Sequence, residues 1–200
     1  MKLYYTPGAC SLAVHITLRE VGIPFQLEKV DLEAKRTEHG RDYREVNPKG
    51  SVPALQLESG EVLTEAAVCL QYVADLAPDR HLAPAFGTMA RYRLMEWLNF
   101  IAAELHKTFA PLFHDSRPER REEAVAMLKP RLEYVARQLG STDFLLGPEF
   151  TVADAYLYAV LNWTRFLKVD IKPWPALGDF LARVARRSSV QTAKKAEHLG

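Results

Sequence analysis

Two cysteines, Cys10 and Cys69, stand 59 positions apart in settings that differ. Cys10 follows a strand-like run and a Pro7-Gly8 turn and falls in the first turn of a helical stretch. Unpaired amides and the helix dipole favour an anion there. Such a position lowers a thiol pKa from its usual value of about 8.5, so the sequence predicts a depressed Cys10 pKa and a reactive thiol near neutral pH. The competing reading is a small buried hydrophobe. Cys69 lies inside the apolar run Ala66 to Leu76 and reads as core. Three residues after Cys10 stands Ala13, so no second thiol is at hand and a dithiol cycle is excluded.

Three further groups have chemical potential. The turn-rich run Asn47-Pro48-Lys49-Gly50-Ser51 delivers Val52 and Pro53 into a strand. Proline cannot donate to a ladder, so the Val52 amide and carbonyl are open to an extended peptide, or Pro53 simply marks an edge strand. Thr64-Glu65-Ala66 opens the next helix, whose free amides could receive a carboxylate. Asn99 and His106, seven apart, share nearly one helical face, with Lys107 beside them; they form either a solvated stripe or one wall of a cleft. His39, His81, His114 and His198 lack ligand spacing, and the cysteines fit no zinc or disulfide framework, so no metal is expected.

The elements that position these residues fall into two halves. Up to about residue 78, short strand-like runs alternate with helices: Lys2 to Tyr5, a helix from Ser11 to Val21, Phe25 to Val30, a hairpin of Ala54 to Leu57 and Glu61 to Leu63 across Ser59-Gly60, and a helix from Glu65 to Leu76. A linker at 79–86 leads to an all-helical region, 87–200. Its first helix begins after Thr88 and carries Leu94, Leu98, Ile101, Leu105 and Phe109. A second starts with a capping box at Ser116 and Glu119 and should kink or split at Pro130. Thr151 and Asp154 cap a helix apolar all round, Ala176 to about Arg187 forms the last helix, and a polar tail from Gln191 is expected to fray.

Composition narrows the class of partner. The chain has 200 residues, 48% of them hydrophobic, and 26 Lys and Arg against 25 Asp and Glu. That balance draws it neither to nucleic acid nor to an acidic membrane. The N-terminus turns polar before a signal peptide could form, and apolar stretches such as Ala155 to Leu161 fall far short of the roughly 20 residues of a membrane span, which predicts a cytoplasmic protein.

With these residues placed, the chain resembles the bacterial beta class of glutathione S-transferases over essentially its full length. Lys2-Leu3-Tyr4-Tyr5 with Pro7-Gly8-Ala9-Cys10-Ser11-Leu12 is similar to the class opening, Asn47-Pro48-Lys49-Gly50 with Val52-Pro53-Ala54-Leu55 to its cis-proline segment, and Leu63-Thr64-Glu65 to its γ-glutamyl turn. Glu104-Leu105-His106-Lys107 resembles its helical face, and Phe150 to Tyr156 the capping box of its core helix. The resemblance implies a thioredoxin-like N-terminal domain followed by a helical domain, assembled as a homodimer.

It further implies that glutathione, as co-substrate, pairs with the backbone of Val52 beside a cis bond to Pro53. Its γ-glutamyl end meets Glu65 and the amide of Ala66, and Lys35 reaches the glycyl carboxylate. Tyr5, Asn99, His106 and Lys107 line the thiol end or the cleft, with Asn99 acting across a dimer interface. Cys10, with Ser11 and His106, shares a proton with the glutathione sulfur, holds its thiolate or exchanges disulfides with it. Phe109, Phe113, Trp163 and Phe166 are candidates for the hydrophobic electrophile, or packing residues. The expected activity is conjugation, with peroxidase, disulfide-exchange or dehalogenase activity through Cys10; the rival is a non-catalytic adaptor of the same fold.

Overall fold

A computed structural model describes every residue except Asp115 and Ser116, so the capping box expected at Ser116 lies outside the described residues. The chain forms two compact units, Met1–Ala83 with Arg187–Gly200, and Pro84–Arg186.

In the first unit, the described residues form a five-stranded sheet of order β3-β2-β1-β4-β5. Its strands are β1 (Lys2–Tyr5), β2 (Gln26–Asp31), β3 (Arg36–Thr37), β4 (Ala54–Gln56) and β5 (Val62–Thr64). Central β1 runs parallel to β2, with Leu3 opposite Leu27, and antiparallel to β4, with Leu3 opposite Leu55. A crossover helix, α1 (Ser11–Val21), is what parallel pairing of β1 and β2 demands. It is buried almost all round because it packs on β1, on α2 (Ala66–Asp75) and on α8 (Ser188–Ala196).

That last contact corrects two expectations. The residues after Arg186 neither fray nor belong to the helical domain. They form α8, which returns to the first unit and buries Val190 and Ala193, three apart on one face, against α1. Arg187 and Ser189 anchor its start on the Glu20 carboxylate, Arg187 through Nε at 2.6 Å.

The second unit is helical: α3 (Met89–Phe100), a π-helical turn (Ile101–His106), α4 (Lys107–His114), α5 (Pro118–Leu139), α6 (Val152–Phe166) and α7 (Pro175–Ala185). The Thr88 hydroxyl caps α3 by accepting from the Arg91 amide at 3.2 Å. Pro130 does not split α5, which runs unbroken through it: proline removes a single amide from the ladder, and buried Leu128, Leu132 and Val135 hold both sides in one face. The capping box of α6 is present, with Asp154 accepting from the Thr151 amide and hydroxyl at 2.9 and 2.8 Å and from the Leu145 amide at 2.8 Å. Among the described residues, no helix is long and apolar enough to cross a membrane.

Candidate active site

The site in the first unit is built on two loops. The β1–α1 turn ends at Cys10, which sits one residue before α1 with its backbone already helical. Thr6 braces this turn: its hydroxyl donates to the Val30 carbonyl at 2.7 Å, and its peptide exchanges hydrogen bonds with the Ser11 hydroxyl. Ser11 is fully buried in that exchange, so its hydroxyl is spent on the turn and unavailable to a sulfur.

The second loop, 47–53, carries a cis peptide bond between Val52 and Pro53. It is pinned from behind. The Tyr43 hydroxyl and the Asn47 carboxamide both donate to the Ser51 carbonyl, at 2.8 and 2.7 Å, and the Lys35 ammonium donates to the Gly50 carbonyl at 2.8 Å. Gly50 has a φ of +63°, and a Cβ there would come within 3.3 Å of the Lys35 stem. The Val52 side chain is anchored in the core with Tyr4, Val30, Tyr43 and Ala54.

The two loops meet at sulfur. Cys10 Sγ donates to the Val52 carbonyl at 3.3 Å, which places the thiol against the backbone expected to pair with a peptide. The predicted pKa depression fails here. Cys10 is only 7% exposed, and burial pushes its pKa up to about 12, although the amides at the helix start pull the other way. Desolvation of a thiolate outweighs two amides, so the resting group is a neutral S–H.

Glu65 occupies the position before α2 with a φ of 67°, unusual for a residue other than glycine and of a kind that clusters at ligand clamps. Its carboxylate is exposed and meets Lys49 Nζ at 2.5 Å. Lys49, which sequence reasoning passed over, thus joins the two loop ends; a basic residue in the Asn47–Gly50 turn facing an acidic helix start was the available signal. Lys35 shares the left-handed backbone, with a φ of 55°. Tyr5 is buried at the end of β1, its ring centroid 6.3 Å from that of His15.

The remaining candidates lie in the second unit. The π-helical turn, with i→i+5 bonding, inserts a residue between Asn99 and His106 and rotates one against the other by about 100°. They do not share a face as expected: Asn99 is exposed, whereas half-buried His106 packs on α6, with Nδ1 3.0 Å from the Tyr156 hydroxyl. Lys107 is exposed. The four aromatic candidates form one cluster around Trp163, with ring centroids of His106, Phe113 and Phe109 at 4.7, 5.2 and 5.6 Å, and with Phe166 stacked on Phe113. Phe109 is fully buried and Trp163 nearly so, whereas Phe113 and Phe166 expose ring surface. Among the described residues, no group of His, Cys, Asp or Glu could hold a metal ion.

Comparison with known proteins agrees with this architecture. Residues 8–76 match the glutathione S-transferase N-terminal domain and residues 100–188 the C-terminal domain. The chain is 49% identical to the glutathione S-transferase GstA of Escherichia coli O157:H7, over all of both chains. Among solved structures, a ternary complex of BphK, a bacterial glutathione S-transferase, superposes with a TM-score of 0.97 at 52% identity over the full length of both. The beta-class enzyme of Sphingomonas chungbukensis does so with a TM-score of 0.97 at 46% identity, again over both whole chains. The chain therefore belongs to the glutathione S-transferase family, and it shares its whole length with that family's bacterial beta class.

Proposed function

We propose that this chain conjugates reduced glutathione to hydrophobic electrophiles. The observation that carries the reading is the contact between the Cys10 thiol and the Val52 carbonyl, which sets a sulfur beside the extended backbone that leads into β4. A tripeptide laid along Val52 pairs with that backbone in the manner of a short added strand. Lys35 supplies a cation on one side of this backbone; Glu65 and the Ala66 amide supply charge and an anion-binding helix start on the other.

A neutral Cys10 favours one role among those open to it. Its S–H, turned from the Val52 carbonyl, donates a hydrogen bond to the glutathione thiolate, which attacks carbon, forms the new C–S bond and releases the leaving group with its electron pair. Disulfide exchange would need Cys10 itself as thiolate, which burial disfavours. His106 and Lys107 are assigned to the thiol end of the reaction, Asn99 to a contact across a homodimer, and the exposed rings of Phe113 and Phe166 to the electrophile. The cytoplasm, where glutathione is reduced, is the compartment such an enzyme needs.

The test is calorimetric titration with glutathione together with turnover of a chlorodinitrobenzene acceptor. Saturable binding and glutathione-dependent release of chloride are expected. Absence of both at millimolar glutathione would sink the reading.

A further inference from the structure

The turn before Cys10 is held at Gly8 by a residue 189 positions further along the chain. Glu197, at the end of α8, is buried, and its carboxylate has two partners. Oε2 accepts from the Gly8 amide at 3.0 Å, and Oε1 lies 2.8 Å from Nδ1 of fully buried His15 on α1. His15 Nε2 in turn accepts from Arg19 Nε at 3.4 Å, which places the ring proton on Nδ1, facing the carboxylate. Glu197 itself is fixed by the last turn of α8, its amide donating to the Ala193 carbonyl at 3.0 Å. A Cβ at Gly8 would meet Leu199 Cδ2 at 3.5 Å, so the tail also closes over the turn.

Burying a carboxylate is costly unless it is hydrogen-bonded, and here its bonds go to the turn before Cys10 and to the helix after it. Gly8 has a φ of +71° and no side chain to hold it in place. Its amide hydrogen bond to Glu197 ties the middle of the turn to α8, while Thr6 and Ser11 tie its ends. The turn, in its turn, sets the distance of the sulfur from Val52.

We propose that Glu197 is a positioning residue for Cys10: through the Gly8 amide, the carboxylate at the end of α8 holds the turn that places the Cys10 sulfur against Val52. α8 is thereby part of the working site, although none of its residues touches the thiol. The kinetic part of this inference rests on the assignment of Cys10 to glutathione; the geometric part stands without it.

The test compares wild type with Glu197→Ala and Glu197→Gln. The rate at which a dithiodipyridine reagent modifies Cys10 in glutathione-free protein is measured at fixed pH, with Cys10→Ala as the blank for Cys69. Glu197→Ala should react about tenfold faster, as a charge-assisted hydrogen bond is lost and the sulfur leaves its buried position. Glu197→Gln keeps an acceptor for Gly8 and should stay within about threefold of wild type. In turnover, Glu197→Ala should raise KM for glutathione more than it lowers kcat, a split that mere loss of stability does not produce.

Unchanged or slower modification of Glu197→Ala, with an unchanged KM, overturns the proposal whatever the melting temperature. Should that variant not fold, hydrogen exchange in the wild type decides. The Gly8 amide should exchange together with the amides of α8, as one opening unit, and fast exchange independent of α8 overturns the proposal. If wild type shows no glutathione-dependent turnover, the functional reading falls, while modification and exchange still judge Glu197.

Discussion

Cys10 should be a slow nucleophile in the ligand-free protein. Burial moves its pKa from the usual thiol range of about 8.5–9.0 up to about 12, a preference for the neutral form of about 4 kcal/mol. At pH 8 the thiolate fraction falls from about one in ten to about one in ten thousand, a loss of about a thousandfold. The rarer thiolate is more nucleophilic, by about twentyfold for this rise in pKa, so the net rate toward a disulfide reagent should be about fiftyfold below that of a free thiol. Its low exposure lowers the rate further. The assay is stopped-flow reaction with dithiodipyridine from pH 6 to 11, corrected with Cys10→Ala. The rate should climb about tenfold per pH unit without levelling off. A plateau at or below pH 8.5 would refute the reasoning and restore the helix start as the dominant influence. The same shift has a stability counterpart. Because the folded pKa lies above the unfolded one, Cys10 leaves stability flat below about pH 9 and erodes it as pH rises toward 12, when the unfolded chain ionises first.

Three further outcomes follow from the geometry. Asp154→Ala strands three buried donors, the amides of Leu145 and Thr151 and the Thr151 hydroxyl, and should cost about 3 kcal/mol, read as a drop of about 10 °C in Tm. Phe109→Ala, at a fully buried site, should destabilise by about 3–5 kcal/mol, whereas Phe166→Ala, at a site 77% exposed, should change stability by less than about 0.5 kcal/mol yet raise KM for an aromatic electrophile. Lys35→Met removes the ammonium from the Gly50 carbonyl and should raise KM for glutathione about tenfold with a smaller change in kcat; equal loss in both would show that the lysine acts on the chemical step instead.

What could be read from the sequence was local, and what could not was brought together by folding. The β1-turn-α1 opening, the hairpin across Ser59-Gly60 and the Thr151–Asp154 box are each encoded within a dozen residues, by turn chemistry and period, and each stands where expected. β3 was missed because two residues carry no periodicity, and α8 because its stripe of Val190 and Ala193 is too sparse to show through a polar surface. The phase of Asn99 against His106 was misjudged for a related reason. A face computed at 3.6 residues per turn holds only while the winding does, and the steps of four from Ile101 to Leu105 to Phe109 exceed that period.

The Cys10 pKa shows the same limit in energetic form. The helix start that lowers it can be read from Pro7-Gly8 and the residues after it, so the sign of that effect was legible. The opposing effect depends on how completely Val52, the core behind it and the braced turn enclose the sulfur, which joins segments more than forty residues apart. Two amides at a helix start favour an anion only as far as solvent, or a ligand, shares the task of solvating it. A buried S–H at a helix start is therefore poised rather than reactive: a glutathione thiolate arriving along Val52 would take over the hydrogen bond that the S–H now gives to the Val52 carbonyl.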